Sequence, residues 1–446
     1  MTKQLQFLNN DSKEEAEYLT KNSIILKKLP NSSRLLCSTR IISDTMYTTF
    51  RFHFLEGSLA DPAGQEGIHH LTEHLINKTI HTMATENDVS LNADTTFYKV
   101  SSHASGFSHP QVIGYGIWPM LPILREVLED PLKHISNLKE VVESEKKVVL
   151  AEIAEYEASH YQQVYRIFRK LAFTPDNPML NEPLGTEESV NSLQVSDIEK
   201  LASDLFTSQN LLIDCFIEGT STITETMLTK IENLFTNFPG QKNTNRADSW
   251  KLLNKLNGEF TQGKIFKKDT ALQTNLVSLF FSWECKFEPF STSYFALQRL
   301  RNFLETEWFL LLRKHGLSYV SQINLIGSGD SVCFFTLTLT VSTKVYNDTL
   351  TDRVSILIQE LFAGITDNVI QTICKKEHER QKAILLATAD RHDWALRGLI
   401  RYGKIINADS IKKTYSTIQE KDFIYWKRLL LASKPVISII GDLRNL

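Results

Sequence analysis

The sequence has few of the residues that define several broad classes of protein. Only five of its 446 residues are cysteine, and they are scattered singly with no Cys-x-x-Cys pair. Such cysteines predict neither a disulfide framework nor a cysteine-ligated zinc site, and they favour the reducing cytoplasm. With 18 glycines and 12 prolines, the chain is also too poor in both for a collagen-like or linker-dominated architecture.

Net charge and long apolar runs are scarce as well. The 49 basic and 52 acidic side chains leave a formal charge of −3, which gives no support to nucleic-acid binding by phosphate neutralisation. No apolar run approaches the roughly 18 residues that a membrane helix needs, and the first ten residues lack the apolar core of a secretory signal. We therefore expect a cytoplasmic protein that binds neither nucleic acid nor membrane.

The patterning that is present predicts alternating strands and helices in each half of the chain. In the first half, we expect strands at 23–29, 34–42, 46–55, 89–102 and 211–219, and helices at 65–79, within 114–173 and at 195–205. In the second half, we expect strands at 272–283, 318–325, 331–341 and 435–441, and helices at 291–314, 350–362 and 369–407.

The two halves also end alike, which predicts an internal repeat. Asp197 and Asp422 each precede a helix, and each helix leads into an apolar strand that ends in a glycine, Gly219 or Gly441. We expect an α+β protein of two structurally similar domains, each a mixed or antiparallel sheet flanked by helices. The polar segment 239–255 predicts a linker between a domain at 1–238 and a domain at 256–446.

The most informative motif is His70-Leu71-Thr72-Glu73-His74. Residues four apart share one face of a helix, so both imidazoles can reach one ion. Two imidazoles and a carboxylate suit a zinc site with an open water position, and Glu73 is placed to act as general base on the zinc-bound water. With 12 histidines in the chain, this pattern is expected by chance only about 0.02 times. The alternative is an exposed helix face that carries a chance charge cluster.

A third ligand is predicted from the helical pattern at 141–158. Glu145 and Glu152 fall on its apolar stripe, seven residues apart, and buried carboxylates are costly unless they are paired or bind metal. This pattern favours Glu152 as the third ligand and Glu145 as a residue that orients a ligand. The alternative is a pair of carboxylates at the edge of the stripe. The stripe consists of Val141, Val142, Val148, Val149 and Tyr156.

With these motifs, nearly the whole chain resembles the pitrilysin/insulinase family of zinc peptidases, the inverzincins, and their processing-peptidase-type subunits in particular. The resemblance implies that His70, His74 and Glu152 bind Zn²⁺ and that Glu73 is the base. Within this family, residues 91–96 resemble an edge strand on which substrate adds as a further strand, which makes Asn92 and Ala93 candidate substrate-binding residues. Residues 184–188 resemble a further family signature, which we interpret as a structural loop.

A second substrate-binding motif is implied in the other half. Residues 313–319 resemble the family motif whose Arg and Tyr lie across a chamber from the zinc, which makes Arg313 and Tyr319 candidates for binding substrate or stabilising the oxyanion. These residues are six apart, where many family members have seven. The alternative is an ordinary helix end followed by a strand.

The resemblance therefore implies a zinc-dependent endopeptidase that cleaves peptides or unfolded segments in the chamber of a dimer. The second domain lacks the zinc motif, so one chain's zinc site would face the second domain of its partner. A homodimer or a heterodimer with a related subunit both remain open. One alternative is a subunit that matures a ribosomally made peptide, such as a bacteriocin precursor, together with a zinc-less sister. Another is a non-catalytic partner or scaffold subunit.

Overall fold

Two β-sheets, one in each half of the chain and both flanked by helices, form the framework of the protein. The structure is a computed structural model. It describes residues 13–41, 47–54, 57–86, 93–96, 111–115, 120–177, 180–240, 265–269, 275–317, 320–327, 332–347, 349–383, 386–402 and 404–441. Within these ranges, no helix combines the length and the apolar character needed to cross a membrane.

The first half has six strands, eight α-helices and one short 3-10 helix (Ser58–Ala60) in the described ranges. The strands are β1 (Ile24–Lys28), β2 (Arg34–Ile41), β3 (Tyr47–Phe54), β4 (Ala93–Thr96), β5 (Gln111–Tyr115) and β6 (Leu211–Gly219). The helices are α1 (Lys13–Lys21), α2 (Ile68–Glu86), α3 (Met120–Glu129), α4 (Leu138–Ala158), α5 (His160–Ala172), α6 (Glu187–Ser192), α7 (Val195–Leu205) and α8 (Ser221–Thr236).

The second half has five strands and six helices in the described ranges. The strands are β7 (Ile265–Asp269), β8 (Leu276–Lys286), β9 (Val320–Gly327), β10 (Val332–Ser342) and β11 (Val436–Gly441). The helices are α9 (Thr292–Lys314), α10 (Leu350–Ala363), α11 (Asp367–Ala383), α12 (Thr388–Tyr402), α13 (Ala408–Ser416) and α14 (Glu420–Ala432).

The two sheets follow the same plan. Their strand orders are β1-β2-β6-β3-β5-β4 and β7-β11-β8-β10-β9. In each sheet the last strand of the half inserts between two earlier strands, parallel to one and antiparallel to the other: β6 between β2 and β3, and β11 between β7 and β8. The predicted α+β fold class is therefore confirmed. The limits of the two domains and the linker stay a prediction, since residues 241–264 lie outside the described ranges.

The repeated helix–strand ending has a local cause. The side chain of Asp197 accepts a hydrogen bond from the backbone N–H of Gln194 at 2.8 Å, and Asp422 accepts from the backbone of Gln419 at 2.9 Å. Each aspartate thus caps the first turn of the helix that precedes the inserted strand, α7 or α14. The carboxylate also suits the positive end of the helix dipole.

In each half, one helix packs against the sheet of the other half. On β8, Leu279 and Phe281 face the main core of the second half, whereas Phe280 points to the opposite face. That face is covered by α5 from the first half, through Val164 and Phe168. Truncating a buried phenylalanine such as Phe168 typically costs about 3–5 kcal/mol, so this contact binds the two halves firmly.

The reciprocal contact is made by α12 of the second half against the sheet of the first. Its Ala395, Leu396 and Leu399 pack against Leu36 of β2 and Leu212 of β6. Both sheets are therefore covered on two faces, which explains why β6 and β10 are buried along nearly their whole length, even though β10 alternates apolar residues with threonines.

A buried polar cluster accompanies the α12 contact. Asp214 of β6 accepts hydrogen bonds from His392 of α12 and from Arg51 of β3. Nδ1 of the same His392 lies 2.5 Å from Oγ of Ser38. Asp214, His392 and Ser38 are each at most 1% exposed. Burial opposes ionisation of Asp214, but His392, His53 and Arg51 hold its pKa well below the usual range.

Two of the sequence-based helix predictions were wrong in extent. The segment predicted as helical from residue 114 begins inside β5, whose residues pair with β3, and it then divides into α3, α4 and α5. The predicted helix at 369–407 is two helices, α11 and α12. The second helix, α12, has its own capped start: the Asp390 side chain in its first turn accepts a hydrogen bond from the backbone N–H of Ala387 at 2.8 Å. The helices α1, α6, α8 and α13 and the strands β5 and β7 were not predicted.

Candidate metal centre

Packing between two helices brings the predicted ligands together. Ile68, Leu71 and Leu75 of α2 are buried against Val142 and Val149 of α4. His70, Glu73 and His74 lie on α2, and Glu145 and Glu152 lie on α4. The apolar contact therefore sets the distance and the rotation at which the imidazoles meet the carboxylates.

The start of α2 is fixed by a buried, hydrogen-bonded aspartate–histidine pair. One oxygen of Asp61 lies 2.5 Å from Nδ1 of His69, and the other accepts from the backbone N–H of Gly67 at 2.7 Å. Burial raises the pKa of Asp61, and the hydrogen bonds from His69 and Gly67 oppose that rise. His69, next to the motif, is thus engaged with Asp61 and anchors the start of the helix.

A loop passes unusually close to this helix start. Gly67 and Gly185 both have a positive φ, +87° and +83°. A Cβ on Gly67 would lie 2.5 Å from the Leu184 carbonyl oxygen, and one on Gly185 would lie 2.4 Å from that of Glu66. Only glycine meets both requirements without strain. The loop at 184–188 is therefore a support for the first turn of α2.

The three predicted ligands face one another. Oε2 of Glu152 lies 3.2 Å from Nε2 of His70, and Oε1 lies 3.7 Å from Nε2 of His74. The rings of His70 and His74 are nearly perpendicular, with centroids 4.9 Å apart. One ligand atom from each of the three residues lies within 4.8 Å of the others.

The electrostatic setting favours neutral imidazole at His70. Burial, and then the nearby His74, lower the pKa of His70 to about 4, and the backbone of Leu184 acts in the opposite direction. The ring is therefore neutral near pH 7 and can offer a lone pair to a cation. The site is accessible to solvent at Glu152, whose side chain is 42% exposed.

A carboxylate orients the second imidazole. Oε2 of Glu145 accepts from Nδ1–H of His74 at 3.2 Å, and Oε1 accepts from Nζ of Lys78 at 2.7 Å. Burial raises the pKa of Glu145, but the hydrogen bonds from Lys78 and His74 outweigh it, so the net shift is downward. Because Nδ1 carries the proton, Nε2 of His74 presents its lone pair on the side of Glu152. Glu73, the predicted base, is half-buried one residue before His74 on the same helix.

The predicted apolar stripe of α4 needs correction. Val142, Val149 and Ile153 are its buried members, whereas Val148 is 43% exposed. The buried residue one position beyond Glu145 is Lys146, whose ammonium bonds Glu143 at 2.8 Å. Glu145 and Glu152 border the apolar contact rather than lie in it, because the helix turns by 100° per residue and Val142, Val149 and Ile153 fill the interface with α2.

The predicted substrate-binding residues are placed less completely. Ala93 opens β4, which pairs with β5 at one end of the sheet and packs against α2. Arg313 lies exposed in the last turn of α9 in the second half, with its guanidinium 5.5 Å from the Phe309 ring centroid. Asn92 and Tyr319 lie outside the described residues. The structure thus gathers the metal-site residues, and it leaves Arg313 on a separate element.

The donor set suits a tetrahedral divalent ion. Two ligands at about 2.0–2.1 Å from such an ion lie about 3.3 Å apart, which falls between the 3.2 Å and 3.7 Å measured from Glu152 to His70 and His74. Two imidazoles with one carboxylate match the donor pattern of zinc sites that also bind water. His70, His74 and Glu152 therefore fit a zinc ion.

Comparisons with known proteins show the fold. No family model matches the chain, and no curated protein matches it. Among solved structures, a protease from Helicobacter pylori has a TM-score of 0.67 at 15% identity, over 94% of this chain and 99% of that one. A peptidase M16 inactive domain from Pseudomonas fluorescens has a TM-score of 0.66 at 13% identity, over 94% and 98%. A protein from Alicyclobacillus acidocaldarius, described as a putative M16-like peptidase, has a TM-score of 0.63 at 14% identity, over 94% and 97%.

These similarities establish that the chain has the two-part fold of the M16, or pitrilysin-type, peptidases. Identities of 13–15% support the fold alone. One of the similar structures is described as an inactive domain, so the fold is shared by proteins with and without activity. Any assignment of chemistry to this chain depends on its own residues.

Proposed function

We propose that the protein is a zinc-dependent endopeptidase. The observation that carries the proposal is the meeting of His70, His74 and Glu152 across the α2–α4 contact, with Glu73 on the same helix as both histidines. A non-catalytic scaffold has no need for two imidazoles and a carboxylate at ligand spacing, next to a further carboxylate.

The chemistry divides among these residues. A zinc ion bound there would polarise a water molecule and lower its pKa to about 7. Glu73 then accepts the proton from the attacking water and delivers it to the leaving amine nitrogen, as a general base and then a general acid. Glu145 keeps His74 in the tautomer whose Nε2 is free to bind.

The substrate we propose is an extended peptide or an unfolded segment. β4 lies at the end of the described strand order and packs against α2. An extended segment can add to such an edge through main-chain hydrogen bonds, which leaves sequence preference to side-chain pockets. Asn92 and Ala93 would contact it there. Arg313 and Tyr319 would act from the second half of a partner chain.

We further propose that the active form is a dimer of two-domain chains, either two copies or this chain with a related subunit. The proposed domains are 1–238 and 256–446, joined by 239–255. The cytoplasm is the proposed location, in keeping with five cysteines that are all buried free thiols. The measured mass of the native assembly distinguishes the homodimer from the heterodimer. A related chain in that assembly would favour the peptide-maturation alternative.

The proposal is tested first by metal content. Protein purified without chelator should hold about one zinc per chain and should cleave members of a quenched fluorescent peptide library. Removal of the zinc with a chelator should abolish cleavage, and added zinc should restore it. A chain that binds no zinc, or that cleaves equally well without it, would show the proposal to be wrong.

A further inference from the structure

A lysine lies one helical turn beyond the candidate metal centre and contacts Glu145, which orients His74. Lys78 follows His74 by four residues on α2, so it stands one helical turn further along the same face. Its ammonium lies 2.7 Å from Oε1 of Glu145, whose other oxygen accepts from Nδ1–H of His74 at 3.2 Å. The three side chains form one chain of hydrogen bonds, from the ammonium through the carboxylate to the imidazole.

The two oxygens of Glu145 are therefore both engaged, by two residues of one helix. A carboxylate with a single partner can rotate about its last side-chain bond, whereas one held at both oxygens by groups on α2 cannot turn without breaking a charge-assisted bond. Glu145 is 12% exposed, so water has little access to replace the ammonium.

We propose that Lys78 is a positioning residue for the zinc site: it holds the Glu145 carboxylate in the orientation that fixes the His74 ring. This inference rests on the proposed zinc function, because its effect is on metal binding at His74. Without the ammonium, Glu145 gains freedom to rotate, and the Nδ1–H bond that sets the His74 tautomer weakens. Lys78 itself touches neither substrate nor metal.

If Lys78 were only one half of an exposed ion pair, its replacement would leave zinc affinity unchanged. The Lys78 side chain is 46% exposed, and exposed ion pairs contribute little to folding stability. The chain offers a matched control in Lys27, whose side chain is also 46% exposed. Its ammonium forms a different ion pair, 2.5 Å from Glu232. Lys27→Met removes an equivalent exposed pair away from α2 and α4.

The experiment measures zinc affinity by competition with a chromophoric chelator, for the wild type, Lys78→Met, Lys78→Arg and Lys27→Met. Removing partners of ligating histidines typically weakens metal binding about 10–100-fold. We expect Lys78→Met to lose about tenfold, at the low end because Lys78 acts through Glu145. Lys78→Arg should restore affinity to within about threefold, since arginine keeps the charged donor. Lys27→Met should match the wild type.

Two further readouts separate positioning from a general effect. In cobalt-substituted protein, the visible absorption bands should shift in Lys78→Met and stay in place in Lys27→Met. In a Glu145→Gln background, adding Lys78→Met should cause no further loss, because the residue through which Lys78 acts is already changed.

The possible outcomes are distinct. Wild-type protein that binds zinc, with Lys78→Met equal to it in affinity and in cobalt spectrum, overturns the inference and leaves the proposed function standing. Equal losses for Lys78→Met in the wild-type and Glu145→Gln backgrounds also overturn it. Wild-type protein that binds no zinc overturns both the proposed function and the role of Lys78.

Discussion

Nε2 of His392 donates a hydrogen bond to Oδ1 of Asp214, and this bond joins a helix of the second half to a strand of the first. The two residues are 178 positions apart in sequence. The bond lies in the dry contact between α12 and the first sheet, where an unpaired carboxylate would be costly. This hydrogen bond therefore helps to fix the position of the second half relative to the first half, which carries the candidate metal centre.

Replacing this histidine should weaken the whole protein. His392→Ala leaves the buried Asp214 with Arg51 as its remaining strong partner, and we expect a loss of about 3 kcal/mol in the free energy of unfolding. His378→Ala is the control, since it removes a partly buried hydrogen bond to the Ile418 carbonyl within the second half, for which about 1 kcal/mol is expected. Urea denaturation measures both. Equal losses would contradict the role given to His392.

The same cluster predicts acid sensitivity. The pKa of Asp214 is lower in the folded protein than in the unfolded chain. Its stabilising contribution is therefore complete above the unfolded value of about 4 and is lost as the pH falls below it. The free energy of unfolding should drop by up to about 1.4 kcal/mol per pH unit in that range from this group alone. In Asp214→Asn this part of the slope should vanish. An unchanged slope between pH 3 and 4 would show that Asp214 is not its source.

The glycine pair at the start of α2 gives a prediction about the metal centre. Gly185→Ala places a Cβ 2.4 Å from the Glu66 carbonyl oxygen, so the loop must move away from α2. Gly64→Ala is a matched control, because its φ of +81° is equally left-handed and nothing lies within 4 Å. The control should cost only the backbone penalty of about 1–2 kcal/mol. Gly185→Ala should cost more and should also weaken zinc binding. Equal effects of the two variants on zinc affinity would contradict the support we assign to this loop.

The proposed third ligand, Glu152, is tested separately from the fold. Glu152→Gln keeps the size of the side chain but removes its charge, and we expect zinc to be lost on dialysis. Glu155→Gln changes an exposed glutamate of the same helix and should retain about one zinc per chain. Metal analysis of both proteins provides the measurement. Full zinc retention in Glu152→Gln would exclude Glu152 as a ligand.

Sequence patterns predicted those features of the molecule that depend on residues close together in the chain. The spacing of His70 and His74 on one helix and of Glu145 and Glu152 on another identified the four side chains that the structure brings together. The capping aspartates Asp197 and Asp422, each before an apolar strand, revealed the repeat. These features depend on residues a few positions apart, which is the range over which helical and strand periodicity can be recognised.

The features that were missed depend on contacts between distant segments. Nothing near Val148 in sequence indicates that it faces solvent while Val149 is buried. The bond between Lys78 and Glu145 spans 67 residues, and that between Asp214 and His392 spans 178. One signal was available: Asp214 interrupts the apolar run of β6, and a buried carboxylate requires a partner. Its partner could not be named without the packing of α12.

The central claim is that Glu73 is the base of a zinc peptidase, and the most direct measurement compares zinc-loaded wild type with zinc-loaded Glu73→Gln. Both proteins should contain equal zinc, since Glu73 is not among the three proposed ligands. Initial rates of cleavage of a quenched fluorescent peptide should then be lower in Glu73→Gln by about 10²–10⁴-fold, the usual contribution of a general base. Equal cleavage rates at equal zinc content would contradict the account.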